Sequence, residues 1–345
     1  MKEKAGEKFM REALAEARKG AGLTSPNPAV GAILVERGRI LARGYHCQAG
    51  ADHAEVDCLR KISEPVSPSA ILYVTLEPCS TRGRTAPCVD YIIERAIRRV
   101  VIGAVDPNPK HRGRAIEMLL RAGIEVSTGM LESECTALNE AFNKWIRTRE
   151  PLVIAKCGMS LDGRLTAPPT DSQWITSAQS RRNARELRAT VDAILVGAET
   201  IRQDNPRLTV RIKSARKQPW RVILTRSGRL PRDANIFCDS HASRTLIYRN
   251  QRLRTVLRDL GRREITSVLL EGGGEVLSEA LDRGLIDKMQ IYIGSKLTGG
   301  NVLAFGGKGA KSVAESFRLR SARYERFGDD LRVTGYLQSA GSIAK

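Results

Sequence analysis

A chain of 345 residues, 41% apolar, exceeds the usual size of a single hydrophobic core, so two domains of ordinary size are expected. Met1 to Gly20 is charged throughout and no apolar run approaches the ~20 residues needed to span a bilayer, so neither a secretory leader nor a membrane span is expected, and the protein is expected to be cytoplasmic. The formal net charge of +19 invites a nucleic-acid reading, yet residues 1–150 hold 23 Lys+Arg against 19 Asp+Glu while the remainder holds 34 against 19. The basic excess therefore lies in the second half, where small phosphorylated ligands would suit it as well as a polyanion.

In chain order, Phe9, Met10, Ala13, Leu14 and Ala17 recur at helical spacing and predict an amphipathic helix over 2–19, packed on the first domain. The two prolines of Thr24-Ser25-Pro26-Asn27-Pro28 enforce an extended, irregular segment in which Asn27 is either a turn former or an amide presented to a ligand. Apolar runs at 29–35, 71–76 and 100–105 then alternate with helical patterns at 54–62, 89–97 and 113–122. This alternation predicts an α/β layer with a largely parallel sheet, whose catalytic groups gather at strand ends and helix starts.

His53, Cys79 and Cys88 are three potential zinc ligands, and Glu55 is a carboxylate with no need to bind the metal. Three ligands leave zinc an open position, as catalytic sites do, whereas structural sites are closed by four. His53 and Glu55, two apart, serve one site only from the first turn of a helix. Asp52 would cap that helix, with Glu55 as the reciprocal carboxylate of a capping box. Cys79 and Cys88 each follow a proline, which predicts helix N-termini that stabilise thiolates. Eight polar and basic residues separate the two cysteines, instead of the two usual in the H-x-E…P-C-x-x-C deaminase signature. Among the seven cysteines the other five read as small apolar filler.

His53-Ala54-Glu55, Thr75-Leu76-Glu77-Pro78-Cys79-Ser80, Gly83-Arg84-Thr85 and Pro87-Cys88 resemble the bifunctional riboflavin-biosynthesis deaminase-reductase family. Asn27-Pro28 with Val30-Gly31, Gly44-Tyr45-His46 and Asp106-Pro107-Asn108-Pro109 extend the resemblance across the first domain. The resemblance implies an α/β, cytidine-deaminase-like three-layer domain followed by a dihydrofolate-reductase-like domain. It implies zinc on His53, Cys79 and Cys88, Glu55 as the proton carrier, and substrate contacts from Asn27, His46 and Arg84. Members of that family often carry a histidine two residues after the first cysteine. This sequence has Thr81, whose hydroxyl can hydrogen-bond a pyrimidine edge but cannot carry charge.

Arg147-Thr148-Arg149-Glu150-Pro151 is polar and ended by proline, and places the boundary between domains 1–148 and 149–345. Leu152 to Cys157 begins a second sheet, and Ser160 to Arg164 reads as a tight turn around its glycine. Ser267 to Leu270 runs into Glu271-Gly272-Gly273-Gly274 and a helical pattern, a junction whose free backbone N–H groups suit phosphate. It is not the Rossmann fingerprint, because Leu277 occupies the third glycine's position. Beyond Gly294 the glycine clusters read as loops and 339–345 as a frayed tail.

Lys156, Ser160 to Gly163, Asp171-Ser172, Trp174 to Ser177, Asp204-Asn205-Pro206, Leu208-Thr209 and Glu271 to Gly273 are similar to the reductase half of the same family. That likeness implies NADPH contacts from Met159, Trp174, Thr200, Asp204, Gly273, Gly274, Glu275, Val276, Leu277 and Ser278. It implies substrate contacts from Ser172, Arg188, Leu208, Arg211 and Glu271. Arg188 and Arg211 also suit phosphate on chemical grounds, since guanidinium binds it bidentately. The expected partners are a small phosphorylated pyrimidine and further copies of the chain, with neither nucleic acid nor membrane.

Two rival readings fit the same residues. A nucleic-acid base deaminase would leave residues 151–345 as an RNA-binding appendage, against which stand the eight-residue spacer, the near-neutral first half and the scarcity of aromatics. A zinc-stabilised scaffold would need a fourth ligand such as Cys47 or His46.

Overall fold

The computed structural model describes residues 6–81, 86–165, 174–212 and 217–338. The chain divides into two compact units, Met1–Arg149 and Glu150–Lys345. The first runs α1 (Glu7–Arg18), β1 (Gly31–Glu36), β2 (Arg39–Tyr45), α2 (Ala54–Leu59), β3 (Ile71–Leu76), α3 (Cys88–Glu94), β4 (Arg99–Ala104), α4 (Arg114–Arg121), β5 (Glu125–Thr128), α5 (Glu132–Leu138) and α6 (Glu140–Thr148).

Its five strands form one sheet in the order β2-β1-β3-β4-β5. Alternation along β1 sends Ala32 and Leu34 to one face and Ile33 and Val35 to the other, and both faces are buried. Ala32 and Leu34 pack with Ala54, Cys58 and Leu59 of α2, Val89 and Ile92 of α3, and Leu119 of α4. Ile33 and Val35 pack with Met10, Ala13 and Leu14 of α1 and with Cys135 of α5. The result is three layers, with the sheet in the middle.

Strands β3, β4 and β5 are parallel, but β1 is antiparallel to both of its neighbours. The expected largely parallel sheet is corrected on this point. Arg37 (φ 47°) and Gly38 (φ 79°) turn the chain straight back into β2, a strand whose charges at Arg39 and Arg43 and a register shift opposite Leu34/Val35 hide its alternation. Helix α2 lies directly on this strand: a Cβ on Gly44 would sit 2.3 Å from the Cys58 nitrogen and 2.4 Å from the Ala54 oxygen. Only glycine lets α2, and the zinc-ligand candidate that opens it, come so near the sheet.

The second unit runs β6 (Leu152–Ser160), α7 (Ala178–Leu187), β7 (Ala193–Gly197), α8 (Ala198–Asp204), β8 (Trp220–Thr225), α9 (Asn235–Cys238), β9 (Thr245–Arg249), α10 (Leu253–Arg262), β10 (Ser267–Glu271), α11 (Gly274–Asp282), β11 (Lys288–Gly294), β12 (Arg318–Phe327) and β13 (Asp330–Gln338). Eight strands make one sheet in the order β12-β13-β11-β6-β10-β7-β8-β9. The six strands from β11 to β9 are parallel, and the β12–β13 hairpin adds antiparallel at one end. Central strands buried on both faces read as continuous apolar runs, as Leu152–Ala155 and Val268–Leu270 do. Helices α10 and α11 cover the sheet with Leu253, Val256, Leu257, Leu260, Leu277 and Ala280.

The glycine clusters at 299–300 and 306–307 lie in loops as expected, and the β12–β13 hairpin follows them without having been anticipated. Its outer strand is largely exposed, and its register slips between Arg320 and Arg323, around Ser321 (φ 51°), so no apolar alternation announces it. The turn expected at 160–164 is present, with Gly163 at φ 78°. Among the described residues no helix is long and apolar enough to cross a membrane.

Candidate active sites

His53 is the N-cap of α2 but makes no side-chain capping bond. Its Nδ1 instead lies 3.2 Å from the Cys88 Sγ and 3.5 Å from the Cys79 Sγ. Cys79 follows β3 in a loop, and Cys88 is the first residue of α3, with Pro87 as its N-cap. The predicted helix start is thus present at Cys88 and not at Cys79. Cys79 still profits from α3, because its Sγ accepts the Cys88 backbone N–H at 3.2 Å. Nor does Asp52 cap α2: it pairs with Arg60, and Glu55 is buried.

A hydrogen bond from the Cys88 thiol, helped by His53, holds the Cys79 thiol down at about 4, and the proton retained by the pair keeps the Cys88 thiol well above its ordinary value. The hydrogen bond to Cys79 likewise raises the His53 imidazole. Ligands at zinc's usual bond lengths in a tetrahedron stand roughly 3.5 Å apart. The three ligand atoms here lie within 4.8 Å of one another, so the set fits the ion with little movement.

Glu55, 3% exposed in the first turn of α2, has its carboxyl raised to about 7, chiefly by burial. His46 lies edge-on to His53 at 5.1 Å; its Nδ1 is 2.9 Å from the Asp52 carbonyl and its Nε2 3.2 Å from the Asn27 amide. With both nitrogens so engaged and burial lowering its pKa, His46 is a neutral wall of the site. Among the described residues the metal-ligating group is His53, Cys79 and Cys88 alone, so the fourth ligand a closed scaffold needs is missing.

In the second unit, Glu271 ends β10 beside its register partner Lys156 on β6. Arg188 binds it through Nε at 2.8 Å and Nη2 at 2.6 Å, and Lys156 Nζ stands 4.0 Å away. Burial would raise the Glu271 carboxyl, but Lys156 and Arg188 outweigh it and hold it below the usual carboxylate range. Immediately after it, Gly272 (φ 90°) and Gly273 (φ 66°) turn the chain into α11. Thr200 on α8 faces that turn, its Oγ1 3.2 Å from where a Gly272 Cβ would be. Backbone N–H groups at a helix start beside a hydroxyl fit the phosphate groups of a dinucleotide.

Comparison with known proteins decides the family. Residues 3–104 match the model of the cytidine and deoxycytidylate deaminase zinc-binding region, and residues 151–333 match the RibD C-terminal domain. The riboflavin biosynthesis protein RibD of Aquifex aeolicus is 38% identical over 94% of this chain and 96% of its own length. The chain belongs to the RibD family. The RibD of Escherichia coli is also 38% identical, over 85% of this chain and 88% of its own. RibD of Acinetobacter baumannii superposes with a TM-score of 0.90 at 33% identity, covering 97% of this chain and 99% of that one. A Thermotoga maritima diaminohydroxyphosphoribosylaminopyrimidine deaminase/5-amino-6-(5-phosphoribosylamino)uracil reductase does so at 0.86 and 36%, covering 96% and 98%.

Against the RibD pattern, the expected residues fall into distinct groups. Asn27 and His46 stand together beside His53, and Thr200 meets Gly272 and Gly273. Arg188 spends the edge expected to clamp a phosphate on Glu271, and its Nη1 reaches the Thr209 carbonyl at 3.4 Å. Leu208 (φ 51°) and Leu277 are buried, and the Leu277 N–H bonds the Gly273 carbonyl at 3.2 Å, so neither presents a side chain to a ligand. The Ser278 hydroxyl accepts the Gly306 N–H, and a Gly274 Cβ would strike the Leu303 oxygen at 2.2 Å. Val276 packs at Gly197, Met159 is half-buried near the end of β6, and Glu275 is exposed opposite Arg226. Trp174 is exposed with Arg181 over its ring, and Asp204 and Arg211 are exposed. Arg84 and Ser172 lie outside the described residues.

One residue that positions the site escaped the sequence. Glu77, buried two residues before Cys79, accepts the backbone N–H groups of Asp106 and Gly113 on one oxygen and of Ala115 on the other, at 3.0–3.1 Å. It ties the β4–α4 loop to the strand end that carries the metal ligand, and nothing local in Leu-Glu-Pro-Cys signals it.

Proposed function

We propose that the first unit hydrolytically deaminates 2,5-diamino-6-(5-phosphoribosylamino)pyrimidin-4(3H)-one, and that the second reduces the ribosyl group of the deaminated product to ribityl. Membership of the RibD family makes the chain a bifunctional enzyme of riboflavin biosynthesis, a zinc hydrolase and an NADPH-dependent oxidoreductase. The observation that carries the assignment of roles is Glu55: a buried carboxyl poised at about 7, beside three zinc ligands and free of ligation itself.

His53, Cys79 and Cys88 would hold zinc, which when bound lowers the pKa of a water to about 7. Glu55 takes the proton of the attacking water and returns it to the departing amine, so that ammonia leaves neutral. A carboxyl poised near the working pH suits both transfers. His46 holds the Asn27 amide nitrogen, which leaves the amide oxygen of Asn27 as a fixed polar edge for the pyrimidine, and burial excludes competing water. In the second unit, hydride comes from NADPH. There Lys156 and Arg188 keep Glu271 ionised at the sheet's end, and the Gly272–Gly274 turn with Thr200 receives a phosphate of the cofactor. The near-neutral first half supports a small substrate over a nucleic acid.

The test is Glu55→Gln. It should retain stoichiometric zinc and full NADPH consumption on deaminated substrate while ammonia release falls by about 10²–10⁴-fold. Near-normal ammonia release would overturn the assignment.

A further inference from the structure

We propose that His111 is a substrate-contacting, specificity-determining residue of the deaminase site, supplying the imidazole that the cysteine loop lacks at Thr81. His111 lies in the β4–α4 loop, thirty residues beyond Thr81 in sequence, yet its Nδ1 stands 3.4 Å from the Thr81 Oγ1. Thr81 is two residues from the ligand Cys79, so this contact brings an imidazole to the rim of the metal site.

The placement is built. The Glu77 carboxylate fixes both ends of the loop through Asp106, Gly113 and Ala115. Within it, Asn108 N–H donates to the Asp106 carboxylate, and the His111 and Arg112 N–H groups both donate to the Asn108 carbonyl at 2.9 Å. His111 therefore rides on a rigid turn anchored to the same strand end as Cys79. When the Thr81 hydroxyl donates to Nδ1, the neutral ring carries its proton on Nε2. Among the described residues Nε2 has no hydrogen-bond partner, and the ring is only half-buried. Lys110 and Arg112 flank it and are exposed, so an oxygen acceptor of an anionic substrate is the partner that suits Nε2–H.

This inference rests on the deaminase reading above, and the experiment separates the two. Ammonia release and NADPH consumption are followed on wild type, His111→Ala, His111→Gln, Thr81→Val and the Thr81→Val/His111→Ala double variant, all checked for zinc content. Loss of one hydrogen bond predicts a deaminase KM raised about tenfold in His111→Ala with kcat changed less than about threefold. Thr81→Val should raise KM in the same direction, and the double variant should be no worse than His111→Ala, because the two side chains act through one contact. His111→Gln, which keeps a donor, should stay within about threefold of wild type. Reduction of deaminated substrate should not change. A KM in His111→Ala equal to wild type, or additive effects in the double variant, overturns the role of His111 while leaving the deaminase standing. Absence of ammonia release from zinc-loaded wild type overturns the deaminase reading itself.

Discussion

Arg188→Met would remove a guanidinium from a site that the fold has closed around it. The two side chains are 16% and 7% exposed, the contact is bidentate, and among the described residues the other cation paired with Glu271 is Lys156 at 4.0 Å. Taking one partner from a buried pair leaves an uncompensated charge and costs about 3–5 kcal/mol. The pH dependence gives the sign. In wild type the Glu271 carboxyl is held below its unfolded value, so its contribution is present above that value and lost as pH falls through the folded one. In the variant, burial acts with only Lys156 against it and lifts the carboxyl, so the variant loses stability as pH rises through the unfolded value. The gap between the two proteins therefore opens with pH, from small near pH 4 to its full size near pH 8. Urea unfolding at those two pH values, followed by tryptophan fluorescence, measures it. A gap below about 1 kcal/mol near pH 8, or one larger near pH 4, would refute the reasoning.

Glu77→Ala should leave three N–H groups without their acceptor at about 1–3 kcal/mol each, seen as fast hydrogen exchange at Asp106, Gly113 and Ala115; unchanged protection there would sink the anchoring role. Gly44→Ala drives a methyl into the backbone of α2, and a loss of at least about 2 kcal/mol is expected by thermal or urea unfolding; wild-type stability would contradict the packing. Dialysis against a chelator should abolish ammonia release while NADPH consumption on deaminated substrate continues, and parallel loss of both activities would show that the second site also depends on metal.

The metal site was legible because its signal is local. His53 and Glu55 can share a site only from a first helical turn, and that is where they are. The cap itself was misassigned by one residue, since Asp52 is drawn to Arg60 instead. What stayed hidden depends on chain that arrives from elsewhere. Glu77 stands in the sequence only as one member of a motif, and its role comes from amides 29 to 38 residues away that converge on it. Strand β2 is masked by its arginines, which removed the antiparallel half of the first sheet from the expectation. Leu208, Leu277 and Ser278 were placed at a ligand by their position along a motif, whereas which way a side chain points is set by packing across the unit.

The outer strand β12 gives part of the chain's basic excess a different meaning. A strand ending an open sheet offers unpaired N–H and C=O groups to any other strand, and copies of the chain at high concentration are the nearest candidates. Here that edge carries Arg318, Arg320, Arg323 and Arg326, all exposed, and breaks its own register at Ser321. A second such edge laid alongside would meet like charges on a strand that is not straight. Some of the charge that suggests a polyanion partner thus sits where it would hold two such edges apart.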